Sequence, residues 1–195
     1  GCYLSCEFCA TAQISKNLVR NLTPGEIISQ IILSKDYIDD WSTQKKITNQ
    51  VLMGEGSPFL NLDNVKVAID NSKNKDGLEY GRTRITVSTV GVGIKKDDKD
   101  AIEWAAKELD VYLAWSLHSS IPKHRSEIMP INDKYSIDSL IPQLKKYYDQ
   151  TKLPIFIEWI CLEENMTDEH AKELVKIMKN CLLYTSDAAD ECLCV

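Results

Sequence analysis

The chain has 195 residues, a net charge of −6, 44% hydrophobic residues and 27% charged residues. That is the composition of a globular protein able to bury one sizeable core, and it excludes a disordered or collagenous chain. No apolar run approaches the roughly 20 residues of a spanning helix, and an acidic chain does not coat nucleic acid by bulk charge, although RNA bound through a local patch or another domain stays open.

In chain order, the first helix signal is at Thr23, where Thr23, Pro24 and Glu26 spell a capping box and Ile27, Ile28, Ile31 and Ile32 supply the face to be buried. The apolar run Ile47 to Met53 predicts a strand that ends in the glycine turn Gly54 to Pro58, and Asn64 to Ile69 predicts a short helix. Arg84 to Ser88 is the next strand. Asp98 to Leu109 is the next helix, with Ile102, Ala105, Ala106 and Leu109 on one side. Val111 to Leu117 reads as a continuous apolar strand, Ser136 to about Tyr148 as a helix, and Leu153 to Leu162 as the last strand. Thr167 caps a final helix in which Ala171, Leu174, Val175 and Met178 repeat at helical spacing. Polar stretches at Asn71 to Tyr80 and Lys95 to Lys99 are expected as surface loops, and Gly91-Val92-Gly93 as a turn without the full dinucleotide-loop spacing. Alternating apolar strands and helices define one parallel α/β domain, most simply a piece of an α/β barrel.

The last fifteen residues read differently. The string Cys181 to Glu191 back-translates codon for codon into a common transposon-based sequencing adapter, and Cys194-Val195 fits the constant sequence beyond a variable index. We therefore expect a native domain over residues 1–180 and a translated, non-native tail over 181–195, the alternative being a natural polar tail with reactive cysteines. The chain opens on Gly1 with no basic-then-apolar leader, so no signal peptide is expected and the natural start is expected to lie upstream.

Cys2, Cys6 and Cys9 put three thiols within eight residues. Clustered cysteines in an odd-numbered set suit metal binding in a reducing compartment better than a disulfide framework. Soft thiolates favour iron–sulfur clusters or zinc, and a structural zinc site would normally want a fourth Cys or His nearby. Three thiolates could hold a four-iron cluster with one iron left open for a ligand. The three-then-two spacing, with Phe8 before the last cysteine, is the signature of radical S-adenosylmethionine (SAM) enzymes.

Beyond the cysteines, GCYLSCEFCATAQ, RNLTPGEI, ITNQVLMGEGSPFLNLDNV, RITVSTVG, SLHSSIPKHRSEIMPINDKY and EWICLEENMTDEHA are collinear stretches covering Gly1 to Asn180. In them the chain resembles the central catalytic region of the radical SAM methyltransferases that modify C2 of adenine in ribosomal and transfer RNA. The resemblance implies a partial (β/α)6-type barrel lacking its first and last strands, a [4Fe-4S] cluster on Cys2, Cys6 and Cys9, and SAM cleaved to a 5'-deoxyadenosyl radical. It implies SAM contacts at Ser88 and at Ser116, Leu117 and His118, at strand ends where barrel active sites assemble. The family's glycine–glutamate pair aligns with Gly56 and Ser57. Ser57 carries no charge, and Glu55, on the same side of an extended segment roughly 7 Å away, is a candidate substitute; weakened SAM binding and a plain tight turn are the alternatives.

The family's methyl-carrying and resolving cysteines match no cysteine of this chain: Cys161 is expected in a strand core and Cys181 in the tail. His124 and His170 are expected at the surface, and Lys123 and Arg125 in a solvated loop, with RNA contact as the alternative. The implied partners are ribosomal RNA and transfer RNA as substrates and an electron donor, for a cytoplasmic monomer away from membranes. Rival readings are a related adenine-C8 methyltransferase, another radical SAM activity, and a non-catalytic iron–sulfur or zinc-binding module.

Overall fold

A computed structural model of the chain describes residues 1–15, 17–42, 46–92 and 100–181. Four strands, β1 (Gln50–Leu52), β2 (Ile85–Thr89), β3 (Tyr112–Ser116) and β4 (Ile155–Glu158), form one parallel sheet in the order β1-β2-β3-β4. Sequential order without a reversal is the winding of a barrel wall and not of a doubly wound sheet. The sheet is an open arc: among the described residues β1 and β4 each pair on one side only. This agrees with the expected partial α/β barrel.

Seven helices accompany the sheet among the described residues: α1 (Ala10–Ile14), α2 (Pro24–Tyr37), α3 (Leu62–Lys73), α4 (Ala101–Glu108), α5 (Pro122–Ile128), α6 (Ile137–Thr151) and α7 (Asp168–Cys181). Helices α3, α4 and α6 connect successive strands, as parallel pairing requires. Their neighbours follow chain order, with α2 against α3, α4 against α6, and α6 against α7. The central strands are dry: Ile85 and Val87 of β2 and Leu113 to Ser116 of β3 are buried. The edge strands expose Val51 and Phe156.

Local chemistry fixes where the helices begin. The Glu26 N–H donates to Thr23 Oγ1 at 3.3 Å while the Thr23 N–H donates to Glu26 at 2.9 Å, which is the expected capping box, and Arg20 donates to both oxygens of the same carboxylate. Thr167 accepts from the His170 N–H, which makes the expected cap, and Ser136, where a helix was expected to open, accepts from the Ser139 N–H in the same way.

The structure corrects several expectations. The first and last strands are shorter than their apolar runs: they begin only at Gln50 and Ile155, and the chain leaves the sheet at Met53 and Trp159, both of which line the cavity described below. Cys161, past the end of β4, is exposed and not in a strand core. Helix α3 extends through Asn71 to Lys73, and Tyr80 is buried, its hydroxyl donating to the Ile47 carbonyl at 2.8 Å. In α2 only Ile27 and Ile31 reach the core, while Ile32 is exposed. In α7 the buried face is His170 and Ile177, with Leu174 half-buried, while Ala171 and Val175 face outward. Gly93, Lys95 to Lys99 and the expected tail from residue 182 lie outside the described residues. No helix among the described residues is long and apolar enough to cross a membrane.

Candidate functional site

The C-terminal ends of all four strands open on one cavity of about 360 Å³. Parallel register sets Ser116 of β3 beside Glu158 of β4, and the Ser116 hydroxyl donates to Glu158 Oε2 at 2.6 Å. The Ser88 hydroxyl of β2 donates to the same oxygen at 2.8 Å. Each serine has one hydroxyl hydrogen, and an ionised carboxylate only accepts. With both hydrogens engaged by Glu158, the serines offer lone pairs to anything else in the cavity. Glu158 was not foreseen. Its signal was present as the one carboxylate in the run Leu153 to Leu162.

His118 follows β3 in a left-handed conformation, φ 56°. Its Nδ1 accepts from the Ile160 N–H at 3.1 Å, and its ring meets Phe8 edge-on at 4.7 Å. Burial, reinforced by the nearby Arg125 charge, lowers its pKa to about 4, so the imidazole is neutral at pH 7. With Nδ1 accepting, the tautomer that satisfies this network carries its hydrogen on Nε2, a donor for the cavity that His118 lines. Leu117, between these two residues, is fully buried and points away; its carbonyl accepts from Arg125 Nε at 3.0 Å.

Across the cavity lies the glycine turn. Gly54 and Gly56 have φ of 115° and 77°, so the segment is a tight turn and not the extended run expected from sequence. Glu55 and Ser57 therefore do not share a face. Glu55 is exposed and pairs with the Gly1 amino group at 3.4 Å, beside a second cavity along the open edge of β1. Ser57 lines the main cavity, and its Oγ is buried without a hydrogen-bond partner.

The three N-terminal cysteines line the same cavity. Cys2 and Cys6 are buried and Cys9 is half-buried where it leads into α1. The Leu4 N–H donates to Cys2 Sγ at 3.5 Å, and the Cys9 N–H donates to the Cys6 carbonyl at 3.1 Å. The Glu7 N–H donates to the Ile128 carbonyl at 2.9 Å, tying this loop to the end of α5. Burial, then the neighbouring Cys2 and Cys9 thiols, push the Cys6 pKa up to about 11, against the opposing pull of Arg125. Among the described residues no three Cys, His, Asp or Glu side chains converge as ligands of a single metal ion; Cys2, Cys6 and Cys9 all line the one cavity.

Two further expectations change. Arg125 is not in a solvated loop but fully buried, because α5 folds back beneath the ends of β2 and β3. His170 is 5% exposed and meets His124 at 3.3 Å, away from the cavity, because α7 packs that side inward.

No protein-family model matches the chain. It is 40% identical over 185 residues to the dual-specificity RNA methyltransferase RlmN of Hyphomonas neptunium, an alignment covering 92% of this chain and 46% of that protein. It is 41% identical over 187 residues to a probable dual-specificity RNA methyltransferase RlmN of Thermosipho melanesiensis, covering 95% and 52%. A crystal structure of a radical SAM methyltransferase from Sphaerobacter thermophilus superposes with a TM-score of 0.82 at 32% identity, over 92% of this chain and 50% of that one. In fold and in sequence the chain is thus similar to the core of a radical SAM methyltransferase. Over nearly its whole length the chain is similar to dual-specificity RNA methyltransferases, and it spans about half the length of the curated relatives it matches.

Proposed function

We propose that this chain forms the cluster- and SAM-binding core of an enzyme that methylates C2 of an adenine in 23S ribosomal RNA and in transfer RNA. One observation carries the reading: three thiols and the polar ends of the strands meet on a single cavity. The donor set fits an iron–sulfur cluster, which takes one thiolate per iron and so needs thiols spread around it and not converging on a point. Cys2, Cys6 and Cys9 would hold it. The unpartnered Ser57 Oγ fits the amino group of SAM, and Ser88 and Ser116, held by Glu158, fit hydroxyl donors of its sugar. When bound, cluster and cofactor supply one-electron cleavage and hydrogen abstraction. The residues of this chain position the cofactor: Ser57 and the Gly54–Gly56 turn from one side, Ser88, Ser116, His118 and Glu158 from the other.

Methyl transfer would need the methyl-carrying and resolving cysteines of the family, which match none here. We read residues 1–180 as a core truncated at both ends and 181–195 as non-native. This chain is therefore expected to cleave SAM without methylating RNA. The complete enzyme would draw on an external electron donor and work in the cytoplasm as a monomer. The test is anaerobic reconstitution with iron and sulfide, followed by reduction with dithionite in the presence of SAM. The expected result is 5'-deoxyadenosine from the unaltered chain and none from Cys6→Ala. No 5'-deoxyadenosine from a fully reconstituted chain would overturn the proposal.

A further inference from the structure

Arg125 is a fully buried cation whose hydrogen bonds go only to neutral groups. Its Nε donates to the Leu117 carbonyl at 3.0 Å, Nη1 to Asn132 Oδ1 at 2.7 Å, and Nη2 to the carbonyls of Val90 and Ser116 at 2.8 and 3.0 Å. Its guanidinium also lies 5.8 Å from the ring centre of the buried Trp115. Among the described residues it makes no ion pair. A buried charge without an opposite charge costs several kcal/mol, which hydrogen bonds to neutral groups offset only in part, so the position calls for an anion.

The anion has a place in the fold. Arg125 sits on α5 beneath the ends of β2 and β3, and the last residue of that helix, Ile128, accepts the backbone bond from Glu7, the neighbour of Cys6. Cys6 is itself buried, and Val90 and Ser116, whose carbonyls accept from Arg125 Nη2, line the same cavity as Cys2, Cys6 and Cys9. Every carboxylate and phosphate-like group is otherwise absent from its described hydrogen-bond shell. On the cavity that Arg125 backs, the Glu158 carboxylate is already held by two serine hydroxyls, which leaves the thiolate of Cys6, and whatever that thiolate ligates, as the negative charge for Arg125 to face.

We infer that Arg125 is the fixed counter-charge of the iron–sulfur cluster that Cys2, Cys6 and Cys9 would hold, and that it sets the cluster's reduction potential. The inference rests on the cluster assignment proposed above. One electron enters from an external reductant, no bond forms or breaks, and the added negative charge is stabilised by the guanidinium. A buried cation raises the potential; removing it lowers it.

The test is a spectroscopic redox titration of the reconstituted chain in three variants. Arg125→Gln removes the charge and should move the midpoint to more negative values, by about tenfold in the oxidised–reduced equilibrium. A tenfold change is about 59 mV for one electron. Arg125→Lys keeps the charge but loses the guanidinium fork, and should stay near the unaltered midpoint. Asn132→Asp keeps Arg125 and neutralises it with a carboxylate of nearly the same shape; the Ser126 hydroxyl can turn and donate, while the Pro122 carbonyl, which accepts from Asn132 Nδ2 at 3.1 Å, loses its donor; the variant should reproduce the Arg125→Gln shift. If Arg125→Gln does not fold, Asn132→Asp decides. Equal shifts in Arg125→Lys and Arg125→Gln, or an unmoved midpoint in Asn132→Asp, would overturn the inference while leaving the cluster in place. Failure of the unaltered chain to take up any cluster would overturn the cluster assignment and this inference together.

Discussion

Ser116 and Glu158 face each other in register across β3 and β4, and the serine hydroxyl donates to the carboxylate at 2.6 Å. Because Ser88 donates to the same oxygen at 2.8 Å, one carboxylate fixes the hydrogen positions of two hydroxyls from two other strands. Glu158→Gln keeps the side chain's shape but replaces a charged double acceptor with an amide, freeing both serines to rotate. The SAM dissociation constant of the reconstituted chain is expected to rise about tenfold, or ~1.4 kcal/mol, in equilibrium dialysis. An unchanged constant would show that Glu158 does not order this wall.

His118 links stability to pH. Its pKa falls from the ordinary 6.5 to about 4 on folding, because burial and the Arg125 charge disfavour the imidazolium. The folded state therefore prefers the neutral ring. Its contribution is fully present above pH 6.5 and is lost as pH falls from 6.5 through 4, by at most about 3 kcal/mol. Urea denaturation midpoints at pH 7.5, 5.5 and 4.5 should fall in that order, and His118→Gln should flatten the trend. A His118→Gln profile as steep as that of the unaltered chain would assign the pH dependence elsewhere.

The start of α2 depends on reciprocal bonds between Thr23 and Glu26. Thr23→Ala removes the hydroxyl acceptor and should cost about 1 kcal/mol in thermal or urea unfolding. Arg20 and the Thr23 backbone hold the Glu26 carboxyl down to about 2. What this contact contributes is therefore present above the ordinary value of 4.5 and is lost only as pH falls from there through about 2. Helix content that began to drop at pH 6 in Thr23→Ala and the unaltered chain alike would have another origin.

The sheet should respond unequally to truncation. Leu113 lies in central β3 and is 1% exposed, while Val51 lies in edge strand β1 and is 57% exposed. Leu113→Ala is expected to cost about 3 kcal/mol by opening a cavity, whereas Val51→Ala should stay within about 0.5 kcal/mol. Comparable losses at both positions would mean that the edge of β1 is covered in solution.

The parallel α/β alternation, the helix caps at Thr23 and Thr167 and the helix start at Ser136 were legible in the sequence, because periodicity and cap chemistry are local. So was the cysteine triplet, together with Ser88 and Ser116 at strand ends. What sequence missed depends on tertiary placement. Arg125 sits in a polar-looking stretch, and only the folding back of α5 makes it a buried charge. Glu55 is not among the residues lining the main cavity, because Gly54 and Gly56 both take positive φ and a turn does not keep alternate side chains on one face. Ile32 and Val175 fit helical faces by spacing yet stay exposed, since which part of an apolar stripe is covered depends on the neighbouring helix.

The most direct test is electron paramagnetic resonance on the reconstituted, dithionite-reduced chain, recorded before and after addition of SAM. The account predicts a four-iron signal that SAM alters in the unaltered chain and that is lost when Cys2, Cys6 and Cys9 are replaced by alanine. A signal indifferent to SAM, or iron retained without those three cysteines, would contradict it.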